Sequence, residues 1–546
     1  MTDITGHFTK ANGHGPEFVE RVRRNQQKLA AQLKPHYDFI VCGSGSSGSV
    51  VARRLAENPA VSVLLLEAGG EDAAPAVMRA DQWPLNLGSE RDWNFFSQPS
   101  KELNGRSIPM SMGKVLGGGS SINVMIWAHG HKSDWDFFAA EAGDPAWNYE
   151  SVLELYRAVE DWHGVPDPDY RGTGGPLFVQ PAPDPSPIAH AMVEGARSLG
   201  IPSFENQNGR MMEGRGGAAI ADLRLRDGYR QSVFRSYVFP YLDRPNLTVL
   251  TAALVTRLIF DGQQATGVEF THDGRVRRVG AAREVVLSLG AINTPKVLMQ
   301  SGIGDETQLR RHGIPVVQHL PGVGQNLQDH VGFDCVWEYR RPLPPRNNGV
   351  EATYFWTSDP GLDSPDLQTC QAEFPKSSSA ENTARFRPPE TGWNLFGGLV
   401  QPKSRGEIRL TGPSPLDPVE IHANILSHPD DVKAAIACVE LCRAVANSAE
   451  LRAFTKREVM PGNLEGAELE RFIRDAASSY WHQSGSAKMG QDSMSVVDGE
   501  LKVYGIERLR IADGSIMPRV TTGNTQAPCV IIGERAAATL RTEHQA

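Results

Sequence analysis

The chain alternates short, wholly apolar runs with stretches in which apolar residues recur at helical spacing. YDFIVC, from Tyr37, is a run of the first kind and predicts a strand buried on both faces, as in a parallel sheet. A glycine-rich turn follows, then apolar positions at Val50, Val51 and Leu55 that predict a helix. VSVLLLE predicts a second buried strand ending at Glu67. Near the other end of the chain, RIADGSIMP reads as a short strand entering a polar loop. A helix is predicted after it, with Pro528 in its first turn and Val530, Ile531, Ala537 and Leu540 on one face. The middle reads differently. EIRLTG and VEIHANI predict strands of a more antiparallel sheet, and SHPDDVKAAIACVELCRAVANS predicts one amphipathic helix starting at Pro429. From about Pro16 to Leu33 the pattern is a polar, charged helix, expected to be a solvated extension packed on the body.

Composition narrows this picture. At 546 residues the chain exceeds one ordinary core, so two or more lobes are expected. A net charge of −9 argues against a nucleic-acid binder. No apolar run reaches the ~18–20 residues of a membrane span. The N-terminus has no apolar segment of a secretory signal, and the six scattered cysteines form no CxxC pair and no zinc spacing. A reducing cytoplasm is therefore expected, with no bound metal. Cys438 and Cys442, one helical turn apart, read as core.

Candidate chemistry begins at the first turn. Gly43-Ser44-Gly45-Ser46-Ser47-Gly48 fits G-x-G-x-x-G between a strand and a helix, and Glu67 lies 19 residues on from Gly48. Gly43 allows the tight turn, Gly45 lets a pyrophosphate approach backbone N–H groups, and Gly48 permits close helix–strand packing. The Glu67 carboxylate can accept from a ribose diol, which favours FAD or NAD over NADP. SYWHQSG is less decided: His482 alone reads as a metal ligand, a packing residue or a base, and a lone histidine is more often structural. Trp481 reads equally as a ligand shield or as core. Tyr354-Phe355-Trp356 and Trp393 read first as core, with an aromatic-lined pocket as the other possibility.

GKVLGGGSSINVMIWAHGHKSDWD (Gly113–Asp136) and GAINTPKVLMQSGIG (Gly290–Gly304) resemble the two signatures of the glucose–methanol–choline family of FAD-dependent oxidoreductases, in choline dehydrogenase-like form. The similarity runs from about Tyr37 to Ala538. The resemblance implies an α/β fold in which a Rossmann-like FAD-binding domain (37–159, 226–330 and 480–546) interleaves with an α+β substrate-binding domain. The latter (160–225 and 331–479) is built on a largely antiparallel sheet, and residues 1–36 form the extension. It implies that Gly43, Gly45, Ser46, Ser47 and Gly48 hold the pyrophosphate and Glu67 the adenosine ribose. It also implies that Val115, Gly118, Asn123, Val124 and Met125 line the ribityl chain and flavin edge, with Val255 at the adenine and Asp513 and Gly514 at a second flavin-contacting turn. Asn524, Thr525 and Gln526, at the start of the last helix, would aim N–H groups at the flavin.

By the same resemblance, His482 and Asn524 match the catalytic histidine and its partner. A neutral imidazole accepts the hydroxyl proton of a small alcohol substrate while hydride passes to flavin N5, and the Asn524 amide holds the substrate oxygen. O2 or another acceptor takes the electrons. The position of a covalent flavin link in some members falls at Met110, so non-covalent FAD is expected. His129-Gly130 departs from a small residue followed by Arg-Gly and leaves that local contact open. The competing readings are an FAD-containing hydroxynitrile lyase on the same scaffold and an NAD-dependent dehydrogenase. No motif specifies the alcohol, the electron acceptor or the oligomeric state.

Overall fold

A computed structural model describes residues 15–546. The two apolar runs near the N-terminus pair in parallel, Phe39–Cys42 against Val63–Leu66, and every residue of the second strand is buried. Strand Leu247–Leu250 extends the parallel array beyond Val63–Leu66. The long strand Arg275–Leu287 does two things. Its first half closes an antiparallel meander with Leu254–Asp261 and Gln264–His272, and its second half lies parallel to His36–Cys42 and to Leu509–Ile511. The result is a seven-stranded sheet assembled from both ends of the chain. Helix Ser46–Ala56 packs against the final helix, Gln526–His544. Gly533 makes that approach possible, since a Cβ there would lie 2.8 Å from the Ser47 carbonyl oxygen and from Val50 Cβ.

The second sheet is also seven-stranded, and all its pairings are antiparallel. Its order is Thr455–Met460, Val331–Tyr339, Gly392–Leu399, Leu367–Ala372, Val350–Trp356 and Gly217–Ile220, with Ser478–Ser479 paired beside Val331. Helix Pro429–Ala446 lies across it and buries Cys438 and Cys442 against Gly397, where a Cβ would meet both sulfurs at under 3 Å. EIRLTG and VEIHANI form antiparallel strands as expected, Glu407–Leu410 and Val419–His422, paired with each other in a two-stranded sheet separate from the seven-stranded one. Tyr354, Phe355 and Trp393 are wholly buried, the last stacked on Trp337 with ring centroids 4.8 Å apart. They are core. Among the described residues no helix is long and apolar enough to cross a membrane.

The N-terminal helix, Pro16–Ala31, is anchored by amides rather than by apolar packing alone. Asn25 and Gln26 donate to the carbonyls of Leu242, Arg244 and Leu247, and Gln26 accepts from Val249 N.

A buried polar cluster holds the first signature run in place. Glu160 accepts from Trp127 Nε1 and pairs with His129 Nε2, both at 2.6 Å, and Arg171 bridges Glu160 and Asp222. The Trp127 backbone N–H donates to the Asp222 carbonyl. His129, the departure noted in the sequence, thus stacks on Tyr156 at 3.8 Å and serves this cluster. Burial pushes the Glu160 carboxyl up, but Arg171 and His129 outweigh it and hold the group at about 2. Arg171→Met would leave two buried carboxylates uncompensated and should cost ~3–5 kcal/mol of stability at neutral pH. Glu160 titrates below its unfolded value of ~4.3, so its contribution is complete above that pH and fades as pH falls toward about 2. The R171M deficit in urea unfolding should accordingly be full from about pH 7 down to about pH 4.3 and shrink as pH falls from there toward 2, and a deficit that grows over that lower range would contradict the assignment.

Candidate active site

The strand ending at Cys42 turns sharply at Gly43, whose φ of 98° and 2.2 Å separation between a built Cβ and the Ser288 carbonyl oxygen exclude a side chain. Helix Ser46–Ala56 then begins without a side-chain cap, so its first N–H groups are left for another partner. A Cβ on Gly45 or on Gly119 would meet nothing within 4 Å, whereas one on Gly118 would lie 2.9 Å from Gly45 Cα. The two glycine-rich loops therefore touch each other and leave bare backbone along a cavity of about 420 Å³. Glu67 fastens this corner. Its carboxylate accepts from Ser44 N and Oγ and from Gly69 N, while Ser44 Oγ accepts from Gly117 N. Burial raises the Glu67 pKa and these hydrogen bonds oppose the rise.

The same cavity ends at the histidine. Asp329, just before strand Val331–Tyr339, accepts from Ser479 Oγ at 2.5 Å, from His482 N at 2.8 Å and from Gln483 Nε2 at 3.1 Å. Burial pushes its carboxyl up to about 7 against those donors. The clamp holds Trp481 in the left-handed region, φ 63°, a conformation that costs a bulky residue ~1–2 kcal/mol. His482 is thereby turned so that Nδ1 meets His330 Nδ1 at 2.9 Å and Nε2 meets Asn524 Nδ2 at 3.3 Å.

These contacts select a tautomer. Asn524 Nδ2 can only donate, so the His482 Nε2 that it faces is the acceptor, and in a neutral imidazole the proton then sits on Nδ1, with His330 Nδ1 accepting. His482 then donates from Nδ1, and its Nε2 keeps a lone pair. On the far side, Gln368 Nε2 donates to Asn524 Oδ1 at 3.1 Å, which turns the Asn524 NH2 toward His482. Burial holds the His482 imidazole down at about 3, so it is neutral across the ordinary pH range. The arrangement is an unprotonated nitrogen beside an amide donor, both facing one cavity.

Most of the sequence-expected site residues line that cavity: Gly43, Gly45, Ser46, Ser47, Glu67, Gly118, Asn123, Val124, Val255, Trp481, His482, Asp513, Gly514, Asn524, Thr525 and Gln526. Three do not. Gly48 packs against the Gly43 carbonyl, where a Cβ would sit at 2.0 Å. Val115 is wholly buried behind the loop, its backbone bridging to Gly70. Met125 turns its side chain into a small cluster with Trp83 and Leu223 while its carbonyl accepts from Arg224 N. Lining roles for Val115 and Met125 are therefore corrected. The aromatic wall is supplied by Trp83, Trp93, Phe374, Phe396, Tyr480 and Trp481, while Tyr354, Phe355 and Trp393 are core, as first read. Asp329, His330, Gln368 and Lys376 were not foreseen. The one available signal was two titratable residues, Asp329-His330, placed directly before an apolar strand.

Comparison with known proteins gives this geometry its context. The profile of the GMC oxidoreductase N-terminal region matches residues 37–332 and that of the C-terminal region residues 402–533. An oxygen-dependent choline dehydrogenase of Sinorhizobium medicae is 36% identical, covering 92% of this chain and 94% of its own length. The mitochondrial choline dehydrogenase of Mus musculus is 35% identical, covering 93% and 90%. Among solved structures, pyridoxine 4-oxidase from Mesorbium loti superposes with a TM-score of 0.88 at 31% identity, covering 94% of this chain and all of that one. The chain belongs to the GMC oxidoreductase family and is an FAD-dependent oxidoreductase acting on CH–OH donors.

Proposed function

We propose that the protein oxidises a ring-bearing primary alcohol to its aldehyde, with His482 Nε2 as the base. The uncapped start of helix Ser46–Ala56 and the bare backbone at Gly43 and Gly45 suit a pyrophosphate. Glu67 has lone pairs left for a ribose diol, Val255 would lie at the adenine, and Gly118, Asn123 and Val124 would hold the ribityl chain and flavin edge. Asp513 ties the Gly514 turn to Gly290 and Thr294, and Asn524, Thr525 and Gln526 open a second helix without a side-chain cap beside the ring. When bound, FAD takes the α-hydrogen as hydride with its two electrons and yields them to O2 or another acceptor. The residues of this chain do the rest. His482 Nε2 takes the hydroxyl proton, Asn524 Nδ2 donates to the substrate oxygen, and His330 keeps the imidazole in the receptive tautomer. The observation that carries this reading is the His330–His482–Asn524 chain ending on a ring-lined cavity.

His482→Ala should retain FAD but be reduced anaerobically by benzylic, furanic or sugar alcohols at least ~100-fold more slowly than wild type, measured by loss of flavin absorbance. An unchanged rate removes His482 from the chemistry. A wild-type flavin that stays oxidised with every alcohol would favour the lyase reading instead.

Non-covalent binding of FAD is part of the same proposal. Met110 is wholly buried, its backbone N–H is bonded to the Phe95 carbonyl, and its thioether is no nucleophilic nitrogen. Acid precipitation of the purified holoenzyme should release the yellow chromophore into the supernatant, whereas colour retained in the washed pellet would show a covalent link.

A further inference from the structure

The substrate end of the cavity carries a cation where choline would need none. Lys376 lies on the cavity wall, and its Nζ stands 4.2 Å from the Phe396 ring centroid and 4.6 Å from that of Trp481. Phe396 stacks on Tyr480 at 4.4 Å, and Tyr480 stacks on His482 at 5.5 Å, so the ammonium is linked to the base through two rings. Among the described residues no carboxylate pairs with Lys376 within ion-pair distance. Burial lowers the Lys376 pKa, and the charge of Asp334, a buried group on strand Val331–Tyr339, opposes that shift. Its two oxygens already accept from Asn394 Nδ2 and Ser378 N, both at 2.7 Å. The other ionisable groups on the wall belong to other parts of it. Glu67 belongs to the glycine corner, Lys296 lies on helix Gly290–Gln300, and Asp513 is held by Gly290, Thr294 and Ser515.

A quaternary ammonium is recognised by exposed aromatic faces. Here two ring faces of the wall, those of Phe396 and Trp481, are already covered by a primary ammonium, so a second cation there would meet like charge. An anionic oxygen meets the opposite situation: a charged donor with spare N–H groups on a low-dielectric aromatic wall. We propose, resting on the alcohol-oxidation reading above, that Lys376 determines specificity and that the physiological alcohol carries an anionic oxygen on its ring, not a quaternary ammonium. The chain would thus part from its choline-named relatives in substrate class while keeping their chemistry.

The test uses purified FAD-loaded enzyme and three alcohols: 4-(hydroxymethyl)benzoate, benzyl alcohol and choline. Wild type should show kcat/KM for the benzoate at least about 10-fold above benzyl alcohol, with choline the poorest. Lys376→Met should collapse the benzoate-to-benzyl ratio by about 10-fold or more, and Lys376→Arg should keep it within about 3-fold. Benzoate, which has no alcohol to oxidise, should perturb the flavin spectrum of wild type and K376R at concentrations where K376M shows no change. Choline as the best substrate, or an unaltered ratio and unaltered benzoate binding in K376M, would overturn the proposal even though alcohol oxidation stands. If none of the alcohols reduces the flavin but benzoate still binds through Lys376, the alcohol reading fails and the anion-binding assignment survives.

Discussion

One buried carboxylate joins two parts of the site that lie far apart in sequence. Asp329 and the turn Ser479–Gln483 lie about 150 residues apart, yet three donors from that turn converge on the two Asp329 oxygens. Without this clamp nothing holds Trp481 in a left-handed backbone conformation, and without that conformation His482 does not reach both His330 and Asn524. A buried acid needs such donors to stay charged. The fold therefore positions its base through a backbone N–H and a turn, leaving the imidazole's two nitrogens free for tautomer selection and chemistry. That is the division of labour expected of a preorganised site.

The cavity is polarised end to end by the same economy. Two helices, Ser46–Ala56 and Gln526–His544, start on its wall without side-chain caps and bring partial positive charge to two different places. Their mutual packing through Gly533 fixes the distance between those places. Glu67 supplies the negative counterpart at the glycine corner. Away from it the wall becomes aromatic, and the polarity there is carried by His482, Asn524, Asn394 and Lys376. A long ligand with an anionic middle and a flat end fits this order, and a flat substrate fits beyond it.

Local pattern was enough for the first half of this. The buried runs at Phe39 and Val63, the glycine turn, and the helix at Pro528 are each decided by neighbouring residues, so they could be read from the chain. The identity of His482 and Asn524 came through resemblance to two long motifs, not from spacing. What was not legible is what tertiary contact alone creates. His330 and Asp329 look like the polar lead-in to a strand until the turn at Ser479 is folded against them. Val115 and Met125 sit within a motif whose neighbours face the cavity, but backbone direction alternates there and turns both away. EIRLTG and VEIHANI had the right period, but alternation fixes which face is buried and says nothing about which sheet is joined.

Lys376 shows why the family does not settle the substrate. The catalytic pair is held by the sheet edge at Val331 and by the start of the last helix, both framework elements. Lys376 lies instead in the segment following strand Leu367–Ala372, outside any strand or helix. Chemistry and recognition thus rest on separable parts of the chain, as scaffolds with loop-borne specificity require. Burial lowers the Lys376 pKa, while the two ring faces and Asp334 favour its charge. The cation therefore acts before any ligand arrives, by making one class of substrate electrostatically unwelcome and another already half-paired.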